Sequence, residues 1–296
     1  MTILLETVRR YADAHADAGG IAATPIAGLS TVRAAAPSGL DHAIQRPLVC
    51  LVLQGSKHVT MGTDAFAFAA GDTLLIAADV PVASRITRAS AAAPYYSLVL
   101  ELDPAVIADL VVQIGATPHA ESRPVRVEPT DAEVADAALR LMRLLDRPGS
   151  VPVLQAQSVR EMHYWLLAGR LGPAIRRLGW PQAASQRVAR AVALLRAEYA
   201  QPLPVERLAS AAGMSPSTFH HHFRKVTSLS PLQFQKQLRL IEARRLMLAD
   251  GMTASSAAFA VGYESVPQFT REYGRMFGLP PVRETAAARS RTRATA

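Results

Sequence analysis

The spacing of apolar positions changes along the chain, and each change predicts a different kind of element. Residues 2–17 put Leu5, Val8 and Ala12 along one helical face. Residues 19–40, rich in Gly, Ala, Pro and Ser, read as irregular or short-stranded. Leu48-Val49-Cys50-Leu51-Val52-Leu53 is then a short buried run, ended by Gln54-Gly55-Ser56. His58 to Met61 is a second stretch, closed by Gly62. In Asp64 to Ala69, Phe66 and Phe68 share a face at period two. Gly71-Asp72 marks a turn before Leu74-Leu75-Ile76, and Arg85-Ile86-Thr87 and Tyr96 to Leu102 complete the series. Short strands broken by regular turns predict a small β-barrel or sandwich.

After Asp103-Pro104 the period becomes helical. Thr130 with Glu133 fits a capping box opening a helix over 131–146, in which Val134, Ala138, Leu141 and Leu145 repeat at helical spacing. Arg147-Pro148-Gly149-Ser150 stops it. A further helix over 152–170 carries Val159, Met162, Trp165 and Leu166. These two helices either cover the barrel or bury a seam in a homodimer. Trp180-Pro181-Gln182 marks a boundary, and helices are predicted near 184–199, 204–212, 215–226, 231–249, 253–260 and 264–277. The expected organisation is α+β: an N-terminal barrel with flanking helices over 1–180, an all-α domain over 181–285, and a tail over 286–296. That tail alternates Ala, Thr, Ser and Arg and is expected to be disordered.

Composition narrows the function. At 296 residues, two domains are expected. The single cysteine, Cys50, excludes disulfides and cysteine zinc sites within one chain. Glu6, Arg9 and Arg10 come too early for a signal peptide, and no long uncharged apolar run predicts a membrane span, so a cytoplasmic protein is expected. Residues 181–296 hold 16 Lys+Arg against 7 Asp+Glu, a net of +9; residues 1–180 hold 16 against 17, a net of −1. All the positive excess sits in the C-terminal segment, as a polyanion-binding module would have it.

That segment contains a helix-turn-helix signature. Leu208 and Ala209 face a core, and Gly213 permits the turn that closes the first helix. Ser215 caps the next, with Pro216 at its first position. Phe219 and Phe223, four apart, anchor it, leaving Ser217, His220, His221 and Arg224 outward. Some fifty residues on, Gly262 repeats the turn, Phe269 and Tyr273 repeat the anchors, and Gln268 and Arg271 lie exposed at i, i+3. Gln235 to Met247 reads as one continuous helix joining the two units.

At these residues the sequence resembles the DNA-binding domain of the AraC/XylS family of transcription regulators, from about Gln186 to Glu284. The strongest matches are Leu238-Arg239-Leu240-Ile241-Glu242-Ala243-Arg244-Arg245-Leu246-Met247 and Val261 to Tyr273, continuing into Phe277-Gly278-Leu279-Pro280-Pro281. Two departures stand out: Ser228 replaces a glycine usual in the family, and Gly274 a common lysine or arginine. Leu48 to Met61, Phe66 to Asp72 and Pro94 to Leu102 resemble an AraC-type N-terminal regulatory domain. That resemblance implies a cupin-like β-barrel that senses an unknown small-molecule effector.

The expected partner is double-stranded promoter DNA. Ser217, His220 and His221 would read base edges in one groove segment, and Pro267, Gln268 and Arg271 in the next. Ser215, Thr218, Arg224, Lys225, Ser265, Thr270 and Arg275 complete the set expected to touch DNA, the helix N-terminus at Ser215 meeting phosphate. The barrel would bias promoter occupancy or contact with RNA polymerase, giving an effector-responsive activator.

No catalytic residue, cofactor or metal site is expected. His220-His221-His222 diverge around a helix and cannot converge on one ion. Near the strands only His42 and His58 occur, without a His-x-His pair. Cys50, inside an apolar run, reads as an inert buried thiol. Phe66, Phe68, Tyr95, Tyr96 and Trp165 read as core or seam, and Arg46, Lys57 and Glu101 as solvated charges. Two rival classes are a cupin enzyme with an appended DNA-binding domain, which lacks metal ligands, and a DNA-repair protein, which lacks reactive thiols.

Overall fold

A computed structural model of the chain describes residues 2–115, 124–180 and 183–295. It divides into two compact units, Met1–Gln186 and Arg187–Ala296. The expected boundary residues Pro181 and Gln182 lie outside the described residues, as does the tail's last residue, Ala296.

The first unit is built on two antiparallel sheets. Its strands are β1 (Ile21–Ala23), β2 (Leu29–Ala34), β3 (Asp41–Gln45), β4 (Leu48–Gln54), β5 (Ser56–Met61), β6 (Asp64–Ala69), β7 (Asp72–Ile76), β8 (Val80–Arg88), β9 (Tyr95–Glu101) and β10 (Val125–Pro129). One sheet has the order β1-β2-β9-β4-β7-β10, the other β3-β8-β5-β6. The cupin-like barrel is therefore two facing sheets and not a closed ring. The helices of this unit are α1 (Thr2–His15), α2 (Pro104–Ile114), α3 (Ala132–Leu144), α4 (Val151–Ala168) and the short α5 (Gly172–Ile175).

The unbroken apolar run of β4 follows from burial on both faces. Val49, Leu51 and Leu53 join Leu75, Leu98 and Leu100 in a core with Val8 of α1, Leu141 of α3 and Met162 of α4. Burying each such side chain contributes about 1.5–3 kcal/mol. Leu48 and Cys50, on the opposite face of the strand, look into the space between the sheets. The helices α3 and α4 thus cover the outer face of the larger sheet, one of the two roles their sequences allow.

Two local expectations are corrected. The capping box at Thr130 does not form: Asp131 is the N-cap of α3 and makes no side-chain cap bond. The Thr130 hydroxyl instead bonds the Thr73 hydroxyl at 2.8 Å, tying the end of β10 to β7. The tail also differs. A helix runs over Pro281–Thr295 where disorder was expected from residue 286. Alanine and arginine are strong helix formers. The first turns are also anchored, because Glu284 is buried and bonds both Arg244 and Tyr273.

In the second unit α6 (Ala184–Ala197) enters across the boundary. It is followed by α7 (Val205–Ala212), α8 (Pro216–Thr227), α9 (Pro231–Ala249), α10 (Ala254–Ala260), α11 (Val266–Phe277) and α12 (Pro281–Thr295).

Candidate functional site

The first helix-turn-helix forms from local chemistry. Gly213 sits at φ 62°, ψ 40° and donates to carbonyls of α7, closing that helix. Ser215 begins α8: its Oγ accepts from the Thr218 N–H at 3.4 Å and donates to Thr218 Oγ1 at 2.9 Å. The rings of Phe219 and Phe223 are fully buried, 5.3 Å apart, and Phe234 of α9 meets Phe223 edge-on. Ser215, Ser217, Thr218, His220, His221, Arg224 and Lys225 are all exposed. His222 is half-buried and turns away, its ring edge-on to His221.

The second unit repeats this plan. Ser265 caps α11, accepting from the Gln268 N–H at 3.4 Å. Phe269 and Tyr273 are fully buried, their rings 5.5 Å apart. Pro267, Gln268, Arg271 and Arg275 are exposed, while Ser265 and Thr270 are half-buried. Both helices therefore bury an aromatic pair and turn a polar, cationic face outward. The side chains of Arg224, Arg271 and Arg275 have no ion-pair or hydrogen-bond partner among the described residues.

The joining helix α9 does more than span. A full capping box, Ser230 with Gln233, fixes its start. Arg239 donates Nε to the Tyr199 carbonyl at 2.7 Å and Nη1 to the Gly262 carbonyl at 2.8 Å; its Nη2 reaches the Ala200 and Gln201 carbonyls. Gln235 adds bonds to the Tyr199 and Gln201 carbonyls. The turn of the second unit is thus clamped to the end of α6. Gly262, at φ 86°, packs so tightly there that a Cβ would collide with the Ala200 carbonyl. Sequence reasoning missed Arg239 and Gln235, along with Arg187 and Arg190, whose side chains satisfy the Ala211, Ala212 and Gly213 carbonyls. Basic residues in a basic segment read as phosphate grips. Only tertiary contacts reveal that these four serve the backbone.

A second feature lies within the first unit. A cavity of about 600 Å³ opens between the two sheets, lined mainly by apolar side chains such as Val59, Leu74 and Val82, with Ser84, Lys57 and Glu101 among them. Lys57 stands opposite Phe68 and Ile86 in the strand register, on the inward face. The expectation that Lys57 is a plain solvated charge is corrected, since it is half-buried and lines the cavity; Glu101 touches the cavity edge but stays exposed, as expected. Arg46 does sit at the surface, 3.9 Å from Glu101. The buried Cys50 thiol lies 3.9 Å from the Tyr95 hydroxyl. Burial, then the neighbouring Cys50, pushes the Tyr95 hydroxyl well above the ordinary tyrosine range. Among the described residues, no helix is long and apolar enough to cross a membrane.

Two helix-turn-helix units joined by one helix, following a sheet domain, define a DNA-binding regulator. Residues 25–174 match the family described as AraC-type transcriptional regulator N-terminus, and residues 208–285 match a helix-turn-helix domain family. The chain belongs to the AraC-type transcriptional regulators. Its DNA-binding part is similar to the HTH-type transcriptional regulator GbdR of Pseudomonas aeruginosa, 33% identical over 90 residues; these are 30% of this chain and 24% of GbdR. It is also similar to the HTH-type transcriptional activator RhaS of Escherichia fergusonii, 28% identical over 90 residues, 30% of this chain and 32% of RhaS. The chain thus spans about a quarter to a third of these relatives' length. The crystal structure of unsaturated fatty acid bound wild-type ToxT from Vibrio cholerae shares the fold, with a TM-score of 0.53 at 9% identity, over 87% of this chain and 93% of ToxT.

Proposed function

We propose that the protein is an effector-responsive transcription activator that reads duplex promoter DNA with the outward faces of α8 and α11. The observation that carries this reading is the repeated arrangement: a serine cap, a proline in the first turn, a buried aromatic pair and an exposed polar face, held twice on one joining helix. Ser217, His220 and His221 read bases in one major-groove segment, and Pro267, Gln268 and Arg271 in the next. The exposed N-terminus of α8 at Ser215 meets phosphate, and Thr218, Arg224, Lys225, Ser265, Thr270 and Arg275 flank the readers. The effector is a small molecule held between the sheets, where the volume and the mixed apolar and polar lining suit a ligand. Its binding shifts promoter occupancy or contact with RNA polymerase through a coupling of about 1–3 kcal/mol. A homodimer would place two such modules on one promoter.

The test is binding of the full chain to a library of sites with every base varied. Arg271→Ala is expected to cost about 1–3 kcal/mol and to relax preference at one position, as loss of a guanine contact would. A uniform loss across all sequences, with the salt slope reduced by about one unit, would make Arg271 a phosphate grip and defeat the readout assigned to α11.

A further inference from the structure

The side chain of Gln268 is tied to a neighbour on its own helix. Its Nε2 donates to Glu272 Oε1 at 3.3 Å, one turn further along α11. Glu272 also accepts from Lys236 Nζ of α9 at 2.9 Å and from the Tyr263 hydroxyl at 2.8 Å. Three donors from three parts of the second unit therefore converge on one carboxylate whose side chain is only 13% exposed. Burial works against its charge. The bonds from Lys236, Tyr263 and Gln268, with the charge of Lys236, outweigh that and hold the carboxyl below the usual carboxylate range. An ionised carboxylate only accepts, so the amide oxygen of Gln268 cannot take the place of its nitrogen there.

This has a consequence for base reading. A glutamine amide has one acceptor and two N–H donors. With one N–H spent on Glu272, the groove meets the oxygen and the other N–H in a set order. That pair matches adenine, which offers an N6 amine and an N7 acceptor, and mismatches guanine, which offers two acceptors. We propose that Glu272 is a positioning residue for base selection, pinning the Gln268 amide in the orientation that favours adenine. The proposal rests on the reading above that Gln268 touches a base.

The experiment is full-chain binding to the fully varied site library, comparing wild type, Gln268→Ala, Glu272→Gln, the double variant and Lys236→Gln, with thermal melting of each. Glutamine at 272 can meet Gln268 with either end of its own amide, so the pinning is lost. Glu272→Gln is expected to lower adenine preference about fivefold or more at the single position that Gln268→Ala also alters, leaving other positions unchanged. In the Gln268→Ala background it should change nothing further. Lys236→Gln, which keeps the carboxylate, should retain the preference and so separates pinning from loss of the ion pair. Uniform weakening at all positions, or the same effect of Glu272→Gln without Gln268, overturns the proposal. If Gln268→Ala alters no position, Gln268 reads no base and the proposal falls with that reading.

Discussion

Ser228 ends α8 in the left-handed region at φ 63°, the one non-glycine with positive φ among the described residues. Its Cβ crowds the backbone there, at a cost of about 1–2 kcal/mol. Ser228→Gly is therefore expected to raise stability by about 1 kcal/mol, read by chemical denaturation, with base preference unaltered. An unchanged or lowered midpoint would mean that the serine compensates its own strain. The sequence marked this residue through its resemblance to a family in which glycine is usual there. Gly213, Ser215 and Pro216 were legible because turns and caps are decided by backbone geometry within a few residues, whereas the cap at Ser265 was not read, the helix being expected from residue 264. Lys57 was not. The strand was taken to start at His58, which left Lys57 outside the alternation that puts Val59 and Met61 inward.

Among the elements, α2 and α4 share a titratable joint. His163 of α4 is buried, its Nδ1 donating to the Val159 carbonyl at 2.8 Å and its Nε2 accepting from the Asp103 N–H at 3.0 Å. Asp103 is also the N-cap of α2. Burial pushes the imidazole pKa down, against smaller raising effects from the Val159 bond and the Asp103 charge. The folded chain thus resists a proton that the unfolded chain accepts below about pH 6.5. Stability from this group is complete above that pH and declines as pH falls through it. Between pH 7.5 and pH 5.5 the loss from this one group is expected to reach at most about 1.4 kcal/mol, and His163→Gln should remove that component. Denaturation midpoints of the two proteins at the two pH values check this; an identical pH slope would rule out His163 as the source. The pattern of α4 showed a helix with an apolar face, but gave no hint that its histidine would accept from a backbone N–H sixty residues away in sequence.

For the whole chain, charge and fold agree on a division of labour. The +9 segment forms the unit with both reading helices, and the near-neutral remainder forms the sheet unit with the cavity. A fragment of residues 181–296, which keeps α6 whole, is expected to bind duplex DNA with the full chain's base preference and a steep salt dependence, and residues 1–180 to bind none. A gel shift with both fragments over a salt series measures this, and specific retardation by residues 1–180 alone would contradict it.

The sequence by itself determined the local features: helix periods, serine caps, glycine turns, the paired aromatic anchors and the segregation of charge. Each depends on residues close together in the chain, where backbone sterics and side-chain period act directly. Tertiary structure decided which of two roles a polar residue plays. It turned Arg187, Arg190 and Arg239 to backbone carbonyls while leaving Arg224, Arg271 and Arg275 outward, turned Lys57 to the cavity, and brought Lys236 of α9 to Glu272. An arginine or lysine carries the same donors in every setting, so its partner is chosen only when distant segments bring unpaired acceptors within reach.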